Sequence, residues 1–220
     1  MNRCLVVAKA PVAGLCKTRL AADIGYDDAA ALASAALLDT LETVTATFGA
    51  DDCVLALIGD LDGAVDGDAI RDAVAGWTIV PQRGDSFGQR LAHAHADAGA
   101  GPLLQIGMDT PQLTSTHLTD ALAGLTRHDA VLAPAEDGGW WGLALRDPGA
   151  AGHLRAVPMS TPDTGRDTRQ ALESAGLSVA TTTALRDVDT LVDAEAVARL
   201  APDGRFAATW HGLQRERARA

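Results

Sequence analysis

The sequence predicts an α/β protein, a three-layer sandwich in which a mostly parallel sheet carries helices on both faces. Two observations predict it. Short apolar runs of strand length alternate with longer Ala/Leu-rich stretches whose apolar residues recur at helical spacing, and such alternation builds parallel sheets. The 220 residues are 47% hydrophobic and 21% charged, enough apolar material for one well-buried domain of this length.

In order along the chain, RCLVVA (3–8), CVLALI (53–58), WTIV (77–80), LLQIG (103–107) and AVLAP (130–134) read as buried strands by length and β-branched content. Between them, helices are expected from about Asp28 to Thr47, over Asp68–Ala75, over Ser86–Ala98 and over Ser115–Leu125, with Ser86 and Ser115 as caps. WWGLAL (140–145) reads as a strand after a turn at Asp137-Gly138-Gly139. A helix begins near Pro162, LSVATT (177–182) is a further strand, and 192–201 a further helix. The tail, from about 203 to 220, is basic and reads as a packing or frayed helix. With no linker, repeat or low-complexity segment, one domain over 1–220 is expected.

Eighteen Lys and Arg against 29 Asp and Glu leave a net charge of −11, which argues against a broad nucleic-acid or anionic-membrane surface. A nucleotide needs only a local basic cluster. Cys4, Cys16 and Cys53 show neither zinc-ribbon nor disulfide spacing, as expected in a reducing cytoplasm. Cys16 could be a nucleophile only if a base accompanied it, and the sequence places none. The apolar run Cys4–Ala8 is too short for a signal peptide, and no run approaches the ~18 apolar residues of a membrane span. A cytoplasmic protein is expected.

AKAPVAGLCKTRL (8–20) follows the first strand and is not a Walker A loop, because Gly14 stands three residues before Lys17-Thr18 with no partner glycine upstream. It gathers Lys9, Lys17 and Arg19 about a Gly-containing turn, where an anion gains from cations and oriented amides. A plain strand–helix turn with exposed basic residues would read the same way. Asp109 in IGMDTPQL lies at a strand end, where open sheets bind ligands; it is either a turn former or a Mg²⁺ ligand. In EDGGWWGLAL, Gly138-Gly139 would let backbone approach a ligand, with Trp140 and Trp141 as core or wall. RDVDTLVDA (186–194) is a second carboxylate cluster or a helix-capping turn.

Taken together and in order, Lys9-x-Pro11-x-x-Gly14-x-x-Lys17-Thr18-Arg19-Leu20, Gly107-x-Asp109-x-Pro111-x-Leu113, Glu136-Asp137-Gly138-Gly139 and Asp187-Val188-Asp189-Thr190 resemble a bacterial family with the GT-A fold of nucleotide-diphospho-sugar transferases. That family is similar to 2-phospho-lactate guanylyltransferase and, more distantly, to the molybdenum-cofactor guanylyltransferase. PQRGDSFGQRLAHA (81–94) resembles the family's LG-x-R-[LM] segment, with Phe87 in place of Leu. The resemblance implies that the Gly14 loop, Lys9, Lys17 and Arg19 contact nucleotide phosphates. It implies that Asp109 binds the metal, Mg²⁺ or Mn²⁺, with Asp189 as second carboxylate and Asp187 close enough to compete. Gln82 and Asp85 would read base or ribose, and Asp137-Gly138-Gly139 and Arg166 would meet the acceptor. Lys17, Arg19 and Asp109 would carry catalysis. Met108 replaces a small residue before the aspartate, and Leu191 replaces the Pro that commonly follows Asp-Thr.

The reaction so implied is metal-dependent nucleotidyl transfer from an NTP to a small phosphorylated acceptor. The alternatives are glycosyl transfer from a nucleotide-sugar to a hydroxyl acceptor, and nucleotide binding without catalysis. Pro111 stands where an Asp-x-Asp glycosyltransferase motif would carry its second carboxylate. A homodimer stays open.

Overall fold

The computed structural model describes residues 2–219. One seven-stranded sheet runs through it, with strands β1 (Arg3–Lys9), β2 (Cys53–Ile58), β3 (Thr78–Pro81), β4 (Leu103–Ile106), β5 (Ala130–Pro134), β6 (Trp140–Leu145) and β7 (Val179–Thr181) in the order β3-β2-β1-β4-β6-β5-β7. All pairings are parallel except those of β6, which runs against both β4 and β5. The helices are α1 (Thr18–Ile24), α2 (Tyr26–Phe48), α3 (Gly67–Ala73), α4 (Phe87–Ala98), α5 (Ser115–Ala123), α6 (Thr164–Ser174), α7 (Leu191–Leu200) and α8 (Arg205–Arg217).

Alternation along β1 divides the core. Cys4, Val6 and Ala8 face α2 and α5, where Leu37, Leu41, Leu118 and Trp141 also pack. Leu5 and Val7 face α4 and α6, against Leu91, Leu154 and Leu172. A third cluster, with Leu20, Leu32, Phe206 and Trp210, joins α2 to α1, α7 and α8. The expected elements are present, with three differences. The α5 cap is Thr114, whose hydroxyl accepts the His117 N–H, and not Ser115; α1 was not anticipated because it has only seven residues; and Pro148–Ala156 winds as a 3₁₀ segment.

Helix α2 is long and apolar enough to cross a membrane, with mean hydropathy 1.2 over its richest stretch, of which 61% is buried in this fold. It needs apolar residues around most of its circumference because it lies between the sheet and α8. Helix α8 is docked, not frayed: both Asp39 oxygens accept backbone N–H groups from its first turn, Arg205 at 3.0 Å and Phe206 at 2.9 Å.

One buried titratable group links α4 to the sheet. His95 is fully buried, and its Nε2 meets Oε1 of Gln105 on β4 at 3.0 Å, while Nδ1 has no partner. Burial lowers its pKa from 6.5 to about 4, against a smaller upward pull from Gln105, so the folded protein holds it neutral. The unfolded chain therefore binds the extra proton between those two values. This group's contribution is present at neutral pH and falls as pH drops from about 6.5 to about 4, by roughly 3 kcal/mol in all. Urea denaturation across that range should show a shallower acid loss in His95→Phe than in the wild type. Parallel curves would mean that the imidazole is not buried uncharged.

Candidate active site

The carboxyl ends of β1 and β4 open into a cleft of about 640 Å³. Its position follows from the topology, since chain ends diverge there and leave backbone groups and side chains to face a ligand.

Three segments far apart in sequence meet at its floor. Lys17, just before α1, holds a left-handed backbone conformation (φ 45°, ψ 42°), which is uncommon for a side-chain-bearing residue. Its ammonium Nζ lies 2.8 Å from Asp109 Oδ1 and 3.2 Å from Asp189 Oδ1, and donates also to the Val188 carbonyl. The Lys17 side chain is 9% exposed, whereas those of Asp109 and Asp189 are 40% and 39% exposed. Burial alone pulls the Lys17 pKa down, but the two carboxylates outweigh it and leave the pKa raised.

The last segment is tied to Asp109 by backbone as well as charge. Val188 N–H donates to the Asp109 carbonyl at 3.0 Å, and Gln112 Nε2 to the Arg186 carbonyl at 2.7 Å. Gln112, three residues after Asp109 in the same motif, was not singled out from sequence; an amide beside a turn carboxylate was the available signal. Neither departure from the family pattern disrupts the floor. Met108 Sδ accepts the Lys9 N–H at 3.3 Å, and Leu191 is the first residue of α7, the position at which proline is tolerated equally well.

Asp187 adds a different kind of charge. It is largely buried, and its Oδ1 has no hydrogen-bond partner. Burial first, then repulsion from Asp109 and Asp137, pushes its pKa up to about 7.

The other expected residues divide. Lys9, Arg19, Gln82 and Gly139 line the cleft, as do Trp140 and Trp141. Arg19 is a weak partner of Asp189 at 3.5 Å, and its side chain is 76% exposed, free to move toward a ligand. Gln82 Nε2 donates to the Ala8 and Ala56 carbonyls at 2.8 and 3.0 Å, clamping the ends of β1 and β2. Gly14, Asp85, Gly138 and Arg166 lie outside the lining. Gly14 forms the outer turn of its loop at φ 79°. Asp85 is exposed, and its N–H donates to Gln89 Oε1 beside the α4 cap. Arg166 pairs with Asp163 and Asp167. Gly138 is held by the protein itself: at φ 93°, a Cβ there would lie 2.0 Å from the Pro162 carbonyl oxygen.

Cys16 shows no nucleophile chemistry. Its Sγ donates to the Val12 carbonyl, and burial raises the thiol pKa despite Lys17 and Lys9 nearby. Arg90 does line the cleft, although sequence reasoning gave it no role.

The fold is that of the nucleotide-diphospho-sugar transferases, and the protein is a transferase. The structure is similar to a protein of Desulfovibrio desulfuricans G20 assigned as a nucleotide-diphospho-sugar transferase, with TM-score 0.81 and 26% identity over 98% of this chain and 94% of that one. It also shares its fold with CMP:2-keto-3-deoxy-manno-octonic acid synthetase complexed with CTP, at TM-score 0.59 and 13% identity over 91% and 98% of the two chains. A further fold relative is Rv0371c of Mycobacterium tuberculosis H37Rv, in complex with manganese, at TM-score 0.51 and 20% identity over 90% and 99%. No curated protein matches the sequence. Residues 40–161 match the family described as uncharacterized protein conserved in bacteria, DUF2064, and the chain belongs to that family.

The Gly138 geometry makes a direct prediction. Gly138→Ala should destabilise the fold by about 2 kcal/mol or more, because the methyl group would meet the Pro162 carbonyl and the backbone has positive φ. Chemical denaturation checks it, and an unchanged midpoint would mean that the 158–163 loop does not pack as described.

Proposed function

We propose that the protein is a nucleotidyltransferase, joining an NMP from an NTP to a small phosphorylated acceptor and releasing pyrophosphate. One observation carries this reading: the buried Lys17 ammonium fixed between Asp109 and Asp189, with Lys9 and Arg19 beside it in a cleft at the strand ends. Cations held in place by carboxylates suit a ligand that brings several negative charges of its own.

The floor also suits a divalent cation. Asp187 carries a buried oxygen without a partner and is repelled by Asp109 and Asp137, so acidic groups outnumber the single ammonium among them. Among the described residues no three acidic, imidazole or thiol groups form a metal-binding set on their own, so an ion here would need phosphate oxygens and water to complete its shell. Asp109 and Asp189, with Asp187 adjacent, would hold Mg²⁺ or Mn²⁺. Bound there, the ion would neutralise phosphate charge and polarise the α-phosphate.

The chain's own residues then position and neutralise. An acceptor phosphate oxygen bonds to the α-phosphorus, and the bond from that phosphorus to the bridging oxygen breaks, the electron pair leaving with pyrophosphate. Lys17 and Arg19 hold the departing charge. Leu15 and Ile58, both exposed in the cleft, offer apolar cover for a base. The enzyme is a transferase in either donor class. A nucleotide-sugar would occupy the same cations but yield no pyrophosphate.

Pyrophosphate release, assayed with each NTP against a panel of phosphate monoesters, should occur with at least one pair and stop when EDTA removes the metal. Lys17→Ala and Asp109→Ala should each lower turnover ~100-fold or more while the chain still folds, with a lowered melting point in Lys17→Ala because its carboxylate partners are left facing one another. Consumption of a nucleotide-sugar without pyrophosphate would replace this reading by glycosyl transfer, and full activity in either variant would remove that residue from the reaction.

A further inference from the structure

From the wall opposite Lys17, we infer that Arg90 is the docking group for the acceptor's phosphate. This inference rests on the nucleotidyl-transfer reading of the cleft.

Arg90 lies one turn into α4, and its guanidinium carbon sits 5.3 Å from the centre of the Phe87 ring. Arg71, Arg83, Arg166 and Arg186 are each neutralised by carboxylates. Among the described residues Arg90 has no such partner, and its buried Nε–H meets no acceptor. A buried Nε–H left without an acceptor is costly unless an anion completes it.

Its neighbours suit an oxyanion. Gln105, 3% exposed, is turned to the same side of the sheet, because its Oε1 is taken by His95 of α4. That bond leaves the Gln105 Nε2 donors unused by His95, and Gln105 lines the cleft. Ser160, in the loop before α6, lines the same cavity and holds a left-handed φ of 60°.

Placement separates this group from the donor cations. The Cys16–Lys17 loop packs on the α2 face of the sheet, whereas Leu91, the next residue after Arg90, packs on the α4 face. In-line displacement at phosphorus requires the attacking and leaving oxygens on opposite sides. With pyrophosphate held by Lys17 and Arg19, the attacking phosphate belongs on the far wall. Arg90 supplies the fixed charge there, and its fork of donors matches phosphate geometry. Arg166, neutralised by Asp163 and Asp167 outside the cleft, is not needed for that role.

Calorimetric titration of inorganic phosphate into the full chain tests the assignment, first without nucleotide and then with saturating NTP and Mg²⁺. Arg90→Met keeps an apolar stem against Phe87, and its folding is checked by its melting curve. The expected result is phosphate binding that survives saturation with NTP and weakens about 10-fold or more in Arg90→Met, with NTP affinity changed less than about 3-fold. Arg90→Lys should fall between the two. Phosphate affinity unchanged in Arg90→Met would overturn the inference. So would phosphate binding abolished by NTP in the wild type, since Arg90 would then serve the donor. If no NTP binds, the nucleotidyl reading fails by itself, and the nucleotide-free titration still decides whether Arg90 is an anion site.

Discussion

The Lys17 ammonium is the contact on which the cleft depends. It reaches Asp109 and Asp189 at 2.8 and 3.2 Å and the Val188 carbonyl besides, so one cation joins the loop after β1, the turn after β4 and the segment before α7. Removing such a cation leaves carboxylates facing one another in a partly dry site, which is more costly than never having assembled them. The strained backbone of Lys17 fits this role, because the left-handed turn accompanies a side chain directed inward at the start of a short helix. Even with the ammonium present, Asp187 remains without a partner for Oδ1, and burial with its acidic neighbours pushes its pKa up to about 7.

The sheet explains why these groups meet. β1 and β4 are parallel neighbours, so the loops that follow them emerge side by side. Reversed β6 pairs with β4 and begins at the same edge, which places the Asp137-Gly138-Gly139 turn and Trp140 beside the carboxylates. The returning segment 185–189 is secured to this edge by backbone bonds from Glu136 to Leu185 and from Val188 to Asp109. Packing behind the cleft is equally fixed, with Gly138 tucked under Pro162 and His95 holding Gln105 in place. A rigid frame carrying an incompletely neutralised charge pattern is a form of preorganisation for a polyanionic ligand.

Much of this was legible in the sequence because strand-length apolar runs and ordered Gly, Lys and Asp positions are local signals. The residues at the floor could be named because each belongs to a motif in a loop that follows a strand. What local pattern could not supply was the pairing of residues far apart in the chain: that Lys17 would lie between Asp109 and Asp189, or that Asp187 would be buried and unpartnered while Asp189 is not. Gly138 looked like a residue for ligand approach, and its glycine is instead required by a carbonyl of a distant loop. Arg166 looked available because its neutralising aspartates, Asp163 and Asp167, stand at spacings that acquire meaning only once α6 has formed. Arg90 is the arginine of the LG-x-R-[LM] segment, but nothing local said that it would line the cleft without a carboxylate partner.

The central claim is that this floor is where a nucleoside triphosphate and a divalent cation meet. A crystal structure with Mn²⁺ and a non-hydrolysable NTP, read by the anomalous signal of manganese, tests it most directly. The account predicts a manganese peak on carboxylate oxygens of Asp109 and Asp189, beside the Lys17 ammonium, with triphosphate oxygens against Lys17 and Arg19. Manganese at other residues, or a triphosphate bound away from Lys17, would contradict it.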